Sequence, residues 1–401
     1  MRRLLLFAVT FAAIVVWRAN AESPPLTAIE TSPEARLNYL AHARMWQVPP
    51  VLSPRDIVDG PSGVFPYTFE QATSGAIECS FAKPGKELGG NTQKFVCRTN
   101  DGHMRRLKYW DENAEHGNRE VFSSVAATRL LWALGFEALP TLPMNVRCVD
   151  CPENPMTGTG PVSTRELVAV LQAYPASGPW IVAAQNPASG WSWLELDRAI
   201  ASLPPGPERT RQRIHFDALT LIGVFIQHGD RKFEQQALSC AGAVRVDAGE
   251  AYASADGAKS ILREAPGATS CAQAAAFIAD TGATFGGGGR TSNPVTAKMN
   301  LSHWRSRSVF MEANQDGNCH GRLTVSFDAH GGEANPIVSE EGRRFLLEQL
   351  QRLTPAHVRA LFTAARVDKL GDRTTDEWVD VFQDKVQQIA RQRCQPLAAG
   401  H

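Results

Sequence analysis

The chain has 401 residues, 43% of them apolar, and its 41 basic residues balance 41 acidic ones. That apolar fraction suits a globular chain with a sizeable core and excludes an intrinsically disordered one. The even charge leaves no electrostatic footprint for nucleic acid or an anionic membrane, and the length suits one large bilobal domain or two ordinary ones.

The first predicted element is a leader. Arg2 and Arg3 precede a 14-residue apolar run, Leu4 to Trp17, and Ala19-Asn20-Ala21 supplies a small-x-small cleavage pattern. Residues 1–21 therefore read as a secretory signal peptide cut before Glu22. The alternative is an uncleaved anchor, but a span needs about 20 apolar residues. Cleavage leaves 38 basic against 41 acidic residues. No later segment is apolar enough to cross a bilayer, so the mature protein is expected to be periplasmic or secreted, with no stable membrane span.

Eight cysteines, an even number, argue for disulfides in an exported chain: Cys79, Cys97, Cys148, Cys151, Cys240, Cys271, Cys319 and Cys394. Sequence does not choose the connectivity, and sequential pairing is the simplest expectation. It would put Cys79–Cys97 across a hairpin, Cys148–Cys151 in a short loop, Cys240–Cys271 around an insertion, and Cys319–Cys394 across the C-terminal region. Cys148 and Cys151 could instead be half of a zinc site, although no second Cys or His pair with ligand spacing accompanies them.

Residues 22–75 are rich in proline and are expected to form an extended lead-in with one short helix at Ala35–Trp46. Residues 76–151 look like a small β-rich unit. "AIECSF" and "QKFVC" are strand-like runs around the glycine-containing loop "AKPGKELGGNT". "HMRRLKYW" follows the turn Asn100-Asp101-Gly102 as a third strand. "NREVFSSVAATRLLWALGF" carries apolar residues at 121, 122, 125, 126, 130, 131 and 134, a helical period closed by Gly135. "TLPMNVRC" returns as a strand.

Residues 152–401 read as mainly helical. Helices are predicted over 163–174, 192–203 and 207–227, followed by the polar loop "HGDRKFEQQ" and strand-like "ALSC" and "VRVDA". An inserted loop spans about 241–271. Beyond it come the strand that opens "FIADTGATFG", a glycine run at Gly286–Gly289, a β-like "GRLTVSF", and three amphipathic helices at 339–353, 355–367 and 374–393. The fold class expected is α+β.

The stretch "FIADTGATFG" carries the first chemistry. Two apolar residues followed by Asp280-Thr281-Gly282 is how an aspartic protease presents its carboxylate. Pepsin-like enzymes need two such motifs, because two carboxylates must share a proton. Here the partner on offer, Asp247-Ala248-Gly249, lies 33 residues upstream, too close for a second lobe. A dimeric retroviral-type protease would place the motif in a small all-β domain, whereas a glycine run and helices follow it here.

An Asp-x-Gly at a strand end also fits phosphoryl transfer, which needs a cation on the phosphates, a carboxylate to aim it, a base near the acceptor hydroxyl, and metal ligands. "HGDRKFEQQ" resembles the protein-kinase catalytic loop: His228, Asp230 and Lys232 fall in register, and Gln235 stands where the family has its metal-binding asparagine. The resemblance implies that Asp230 is the base and that Lys232 neutralises the transferred phosphate. It also implies that Gln235 and Asp280 hold Mg or Mn with ATP, Asp280-Thr281-Gly282 standing for Asp-Phe-Gly. Lys108 would be the nucleotide lysine and Glu120 its ion-pair partner. "KPGKELGGNT", with Gly89 and Gly90, takes the place of the phosphate-covering loop, where glycines let backbone N–H groups approach phosphate.

These parts come in kinase order over roughly 76–300. Gln replaces Asn at 235, about 50 residues separate Asp230 from Asp280, and no Ala-Pro-Glu segment is evident. The chain therefore resembles the atypical HipA-type and secretory-pathway kinases, and a group of exported bacterial proteins with the same layout. A bilobal protein-kinase-like fold follows from the resemblance, with a small β-rich lobe carrying one key helix and a larger helical lobe. The implied partners are a nucleotide and a hydroxyl-bearing acceptor. Two alternatives stand beside this reading: a kinase-fold binding protein without catalysis, and the aspartic protease. Glu120 could simply complement a helix dipole and Lys108 a solvated face. Asp280 is harder to set aside, since a carboxylate ending an apolar strand must face a cleft or be paired.

Overall fold

A computed structural model describes residues 28–84, 88, 92–110, 119–175, 180–183, 190–240, 244–245, 271, 273–287, 298–312, 318–323, 334–371 and 373–396. The leader, Gly89, Gly90, Asp247 and most of the insertion between Cys240 and Cys271 lie outside these residues.

The proline-rich lead-in is not extended. It forms β1 (Ala28–Thr31), α1 (Pro33–Ala41), α2 (Pro54–Asp59) and α3 (Phe69–Ser74). The prolines start helices here instead of preventing them. Pro33 and Pro54 occupy first-turn positions, where no amide donor is needed, behind the caps Ser32 and Ser53.

Five strands then close into a barrel: β2 (Ile77–Ala82), β3 (Lys94–Thr99), β4 (Met104–Trp110), β5 (Thr141–Asn154) and β6 (Thr159–Gln172), in the order β2-β3-β4-β6-β5. Phe95, Leu107, Tyr109, Leu142, Met144, Leu167, Ala169 and Leu171 fill its interior. Strand alternation puts Lys94, Val96, Arg106 and Lys108 on the opposite, outer face of the β3–β4 hairpin.

β6 corrects the helix expected over 163–174. Leu167, Ala169 and Leu171 enter the barrel, while Val168 and Val170 pack outside it against the main core. A strand buried on both faces gives an unbroken apolar run, which periodicity cannot tell from a helix. β4 and β5 flank it on both sides.

Between β4 and β5, α4 (Glu120–Leu134) is buried along nearly its whole length and ends at Gly135, whose φ of 85° closes the helix. A Cβ at 135 would also meet the Gln47 carbonyl oxygen.

Beyond the barrel come β7 (Tyr174–Pro175), β8 (Trp180–Ala183), α5 (Trp193–Ala201), α6 (Pro207–Phe225), β9 (Gln236–Cys240), β10 (Val244–Arg245) and β11 (Ala274–Ile278). A second sheet runs β1-β8-β9-β11. β9 and β11 are antiparallel, with Cys240 opposite Ala274 and Gln236 opposite Ile278. The long insertion thus leaves and re-enters at one end of a two-strand ladder.

The rest of the chain supplies α7 (Leu301–Ser306), β12 (Cys319–His320), β13 (Ile337–Val338), α8 (Glu340–Gln351), α9 (Pro355–Ala364) and α10 (Thr375–Arg391). Phe225, Phe285, Trp304, Phe362, Trp378 and Phe382 meet there in one aromatic cluster.

All four sequential disulfides form: Cys79–Cys97, Cys148–Cys151, Cys240–Cys271 and Cys319–Cys394. The Cys148–Cys151 bond removes the zinc alternative at that pair. Among the described residues no helix is long and apolar enough to cross a membrane.

Candidate functional site

Two loops run alongside each other and set the site. The first leaves α6 through Gln227, which takes a left-handed φ of 54°, and reaches β9 by a short 3₁₀ turn at Phe233–Gln235. The second leaves β11 at Ile278 and runs to Phe285. Their backbones are cross-linked. The Phe285 amide donates to the Ile226 carbonyl (2.6 Å), and both the Ala279 and Asp280 amides donate to the Gln235 carbonyl (2.8 and 3.1 Å). Asp280 is therefore joined through its backbone to Gln235 despite the intervening sequence. The Gln235 side-chain Nε2 donates to Asp230 Oδ2 at 3.1 Å, and Lys232 Nζ lies 3.6 Å from Asp230 Oδ1.

The barrel and α4 bring the charged partners. Lys108 Nζ is 2.7 Å from Asp280 Oδ2 and 3.5 Å from Glu120 Oε2. Lys108 and Glu120 are each only 7% exposed, whereas the Asp280 side chain keeps 31% of its surface. Asp280 Oδ1 accepts the Gly282 amide at 2.9 Å, an Asx-type turn that fixes the carboxylate. Gly282 is needed for a second reason: a Cβ there would lie 2.7 Å from the Glu120 carboxyl carbon. The glycine of Asp-Thr-Gly thus makes room for the glutamate, and the Ser123 hydroxyl on α4 donates to the Gly282 carbonyl.

Two lysines that sequence reasoning passed over complete the cluster. Lys298 Nζ is 2.7 Å from Glu120 Oε1, so each oxygen of that carboxylate faces its own ammonium group. Lys94 is buried on β3 directly opposite Lys108. Lys94 was within reach of the sequence, because counting back across the Asn100-Asp101-Gly102 turn pairs position 94 with 108. Lys298 belongs to no motif and carried no such signal.

Charge and burial compete at each group. Burial disfavours a charged Lys108, but Asp280 and Glu120 outweigh it and hold its pKa above the ordinary lysine value. Burial likewise favours a neutral Glu120, yet Lys298 and then Lys108, helped by a hydrogen bond from Thr92, hold it well below the carboxylate range. Lys94 goes the other way. Burial, then Arg106 and Lys108, push it down to about 8 against the pull of Glu120 and Asp280. His228 is fully buried and pushed down to about 3, first by burial and then by Arg231, so it is neutral near pH 7.

Of the residues singled out from sequence, Lys108, Glu120, Asp230, Lys232, Gln235 and Asp280 converge on one locality, while Gly89 and Gly90 lie outside the described residues. The β2–β3 loop does return over the outer barrel face, where Leu88 packs with Val96 and Met104. Among the described residues no group of three or more His, Cys, Asp or Glu is arranged to hold a metal ion. The available donors are the oxygens of Asp280, Asp230 and the Gln235 amide, a hard set suited to Mg or Mn.

No family model and no curated protein matches the chain. Among solved structures it is similar to a Helicobacter pylori proinflammatory kinase, CtkA, at 12% identity and a TM-score of 0.37. That match covers 79% of this chain and 94% of the other, a likeness too loose to carry a function across.

Proposed function

We propose that this chain is an exported ATP-dependent phosphotransferase of the atypical-kinase type, with a kinase-like bilobal fold, acting on a hydroxyl-bearing acceptor. One observation carries the reading. Lys108 on β4 contacts both Glu120 at the start of α4 and Asp280 after β11, and Asp280 is hydrogen-bonded to the loop that bears Asp230 and Gln235. These contacts between residues far apart in sequence support a reading as phosphoryl transfer, which calls for a lysine, a carboxylate to aim it and further carboxylates nearby.

In this reading Lys108 holds the α/β-phosphates and Glu120 aims it. Asp230 accepts the proton of the acceptor hydroxyl as that oxygen bonds to the γ-phosphorus, the bond from the γ-phosphorus to the β–γ bridging oxygen breaks to release ADP, and Lys232 offsets charge on the transferred group. Asp280 and Gln235 would hold Mg or Mn, which would supply charge neutralisation. The leader and four disulfides suit a periplasmic or secreted setting. Asp280 is paired with an ammonium group rather than a second carboxylate, which favours phosphate chemistry over the aspartic protease.

The test is a thermal-shift titration of the oxidised protein with ATP and Mg or Mn beside Asp280→Ala, followed by turnover with Asp230→Ala. A metal-dependent rise in melting temperature that Asp280→Ala abolishes supports the site. Binding without turnover in the wild type would leave a binding protein. Absence of any shift in folded protein would overturn the nucleotide reading.

A further inference from the structure

Resting on that reading, we propose that Ser123 is a positioning residue for Asp280. Its hydroxyl fixes the backbone of Gly282, and through Gly282 the carboxylate offered to metal.

The sequence creates the need. A Cβ at 282 would lie 2.7 Å from the Glu120 carboxyl carbon, so the position calls for glycine. Glycine is the most permissive residue in φ and ψ, and the clearance that admits Glu120 therefore leaves the Asp280-Thr281-Gly282 turn poorly stiffened from within. The turn depends on this glycine, whose amide donates to Asp280 Oδ1 at 2.9 Å. A drift at Gly282 would turn that amide away and release the carboxylate.

α4 supplies the constraint. Ser123 lies three residues after Glu120, on the same face of the helix, and is fully buried. Its hydroxyl has one proton and three carbonyl oxygens within range. Arg119 and Glu120 of its own helix turn are each at 3.3 Å, and Gly282 is nearer, at 2.5 Å. A helical serine commonly bonds back to its own preceding turn, but here the closest acceptor belongs to another segment. One turn of α4 thus presents Glu120 to Lys108 and Ser123 to Gly282.

The ends of that segment are held elsewhere. The Asp280 amide donates to the Gln235 carbonyl at 3.1 Å, and the Phe285 amide donates to the Ile226 carbonyl at 2.6 Å. Ser123 secures the middle. Thr284, also fully buried, stiffens the same stretch: its hydroxyl lies 2.9 Å from the Thr281 carbonyl and 3.5 Å from that of Ser123. The adjacent Ser124 provides the contrast. It is buried too, yet among the described residues its hydroxyl has no hydrogen-bond partner.

The experiment compares wild type, Ser123→Ala and Ser124→Ala, all oxidised, by hydrogen exchange at the Gly282 amide and by calorimetric titration. The titrants are Mn alone, ATP with Mn, and ATP without metal. Ser123→Ala should speed Gly282 exchange about tenfold or more, because the turn opens more often. It should weaken Mn and ATP with Mn about tenfold, the scale of one lost buried hydrogen bond. ATP without metal should bind unchanged, since the bond acts through the metal-facing carboxylate. Ser124→Ala should stay within about twofold of wild type throughout. Faster exchange with unchanged Mn affinity would make the bond purely structural and overturn the proposal. Unchanged exchange in folded Ser123→Ala would overturn it as well, and so would an equal loss of Mn affinity in Ser124→Ala. Wild type that binds neither Mn nor ATP, with Gly282 exchange still dependent on Ser123, would remove the nucleotide reading and leave the hold on Asp280 standing.

Discussion

Two buried ionic clusters in this molecule solve the same problem differently. Around Asp217 on α6, the carboxylate accepts both the amide and the hydroxyl of Ser339. It also lies 3.3 Å from Arg213, which in turn holds Asp197. Ser339 caps α8, and Gly342 sits so close that a Cβ there would meet Asp217 Cβ at 2.4 Å. Burial still pushes the Asp217 carboxyl up, but the arginine and two hydrogen bonds oppose it. These contacts tie α6 to α8 through Ser339 and to α5 through Asp197, so the cluster is a fastening. Around Glu120 and Asp280 the charged contacts are lysine side chains, and the Asp280 side chain keeps 31% of its surface open. The first cluster fastens helices to one another, whereas the second joins β4, α4 and the loop after β11 around a partly open carboxylate.

The contrast can be broken by removing the equivalent charge from each side. Asp217→Ala should cost about 3–5 kcal/mol, as loss of a buried charged partner generally does, read as a lowered urea midpoint with any nucleotide response of the remaining folded protein intact. Gly282→Ala comes next. The added methyl collides with Glu120, and overpacking of that kind costs about 1–3 kcal/mol. It should also displace the carboxylate from Lys108 and Lys298 and remove the ATP-dependent thermal shift. Asp280→Asn should change stability by about 1 kcal/mol or less, because its partner Lys108 retains Glu120 and the side chain is partly solvated, yet it should abolish metal-dependent binding. A destabilisation by Asp280→Asn as large as that of Asp217→Ala would make both clusters fastenings.

Much of this site could be read from sequence because its pieces are local. The cysteine order, the strand before Asp280, the loop from His228 and the Glu120 helix each announce themselves within a dozen residues. What brings them together does not. The cross-links between the Ile226–Gln235 and Ala279–Phe285 loops depend on β9 and β11 pairing across the insertion, and no local pattern encodes that pairing. β6 misled because its two apolar faces erase the alternation that marks a strand. The lead-in misled because prolines at helix starts look, in composition alone, like prolines in an extended segment. Lys298 carried no signal, since its meaning depends on a glutamate nearly 180 residues away.

The smallest expected effect comes from Lys94, buried on β3 opposite Lys108. Lys94 titrates near 8 in the folded protein against an ordinary 10.5. Between those values the unfolded chain binds the proton and the folded chain does not, so this group makes stability rise with pH through that window. Lys94→Met should flatten that rise and stabilise the ligand-free protein near pH 7 by about 1 kcal/mol, because burial of an ammonium group is no longer required. Binding should respond with the opposite sign. Raising the pH from 7 to 9 takes the charge off Lys94. ATP, whose terminal phosphate is mostly ionised already at pH 7, should bind several-fold more weakly, on the order of one lost cation contact. In Lys94→Met the affinity should be low at both pH values.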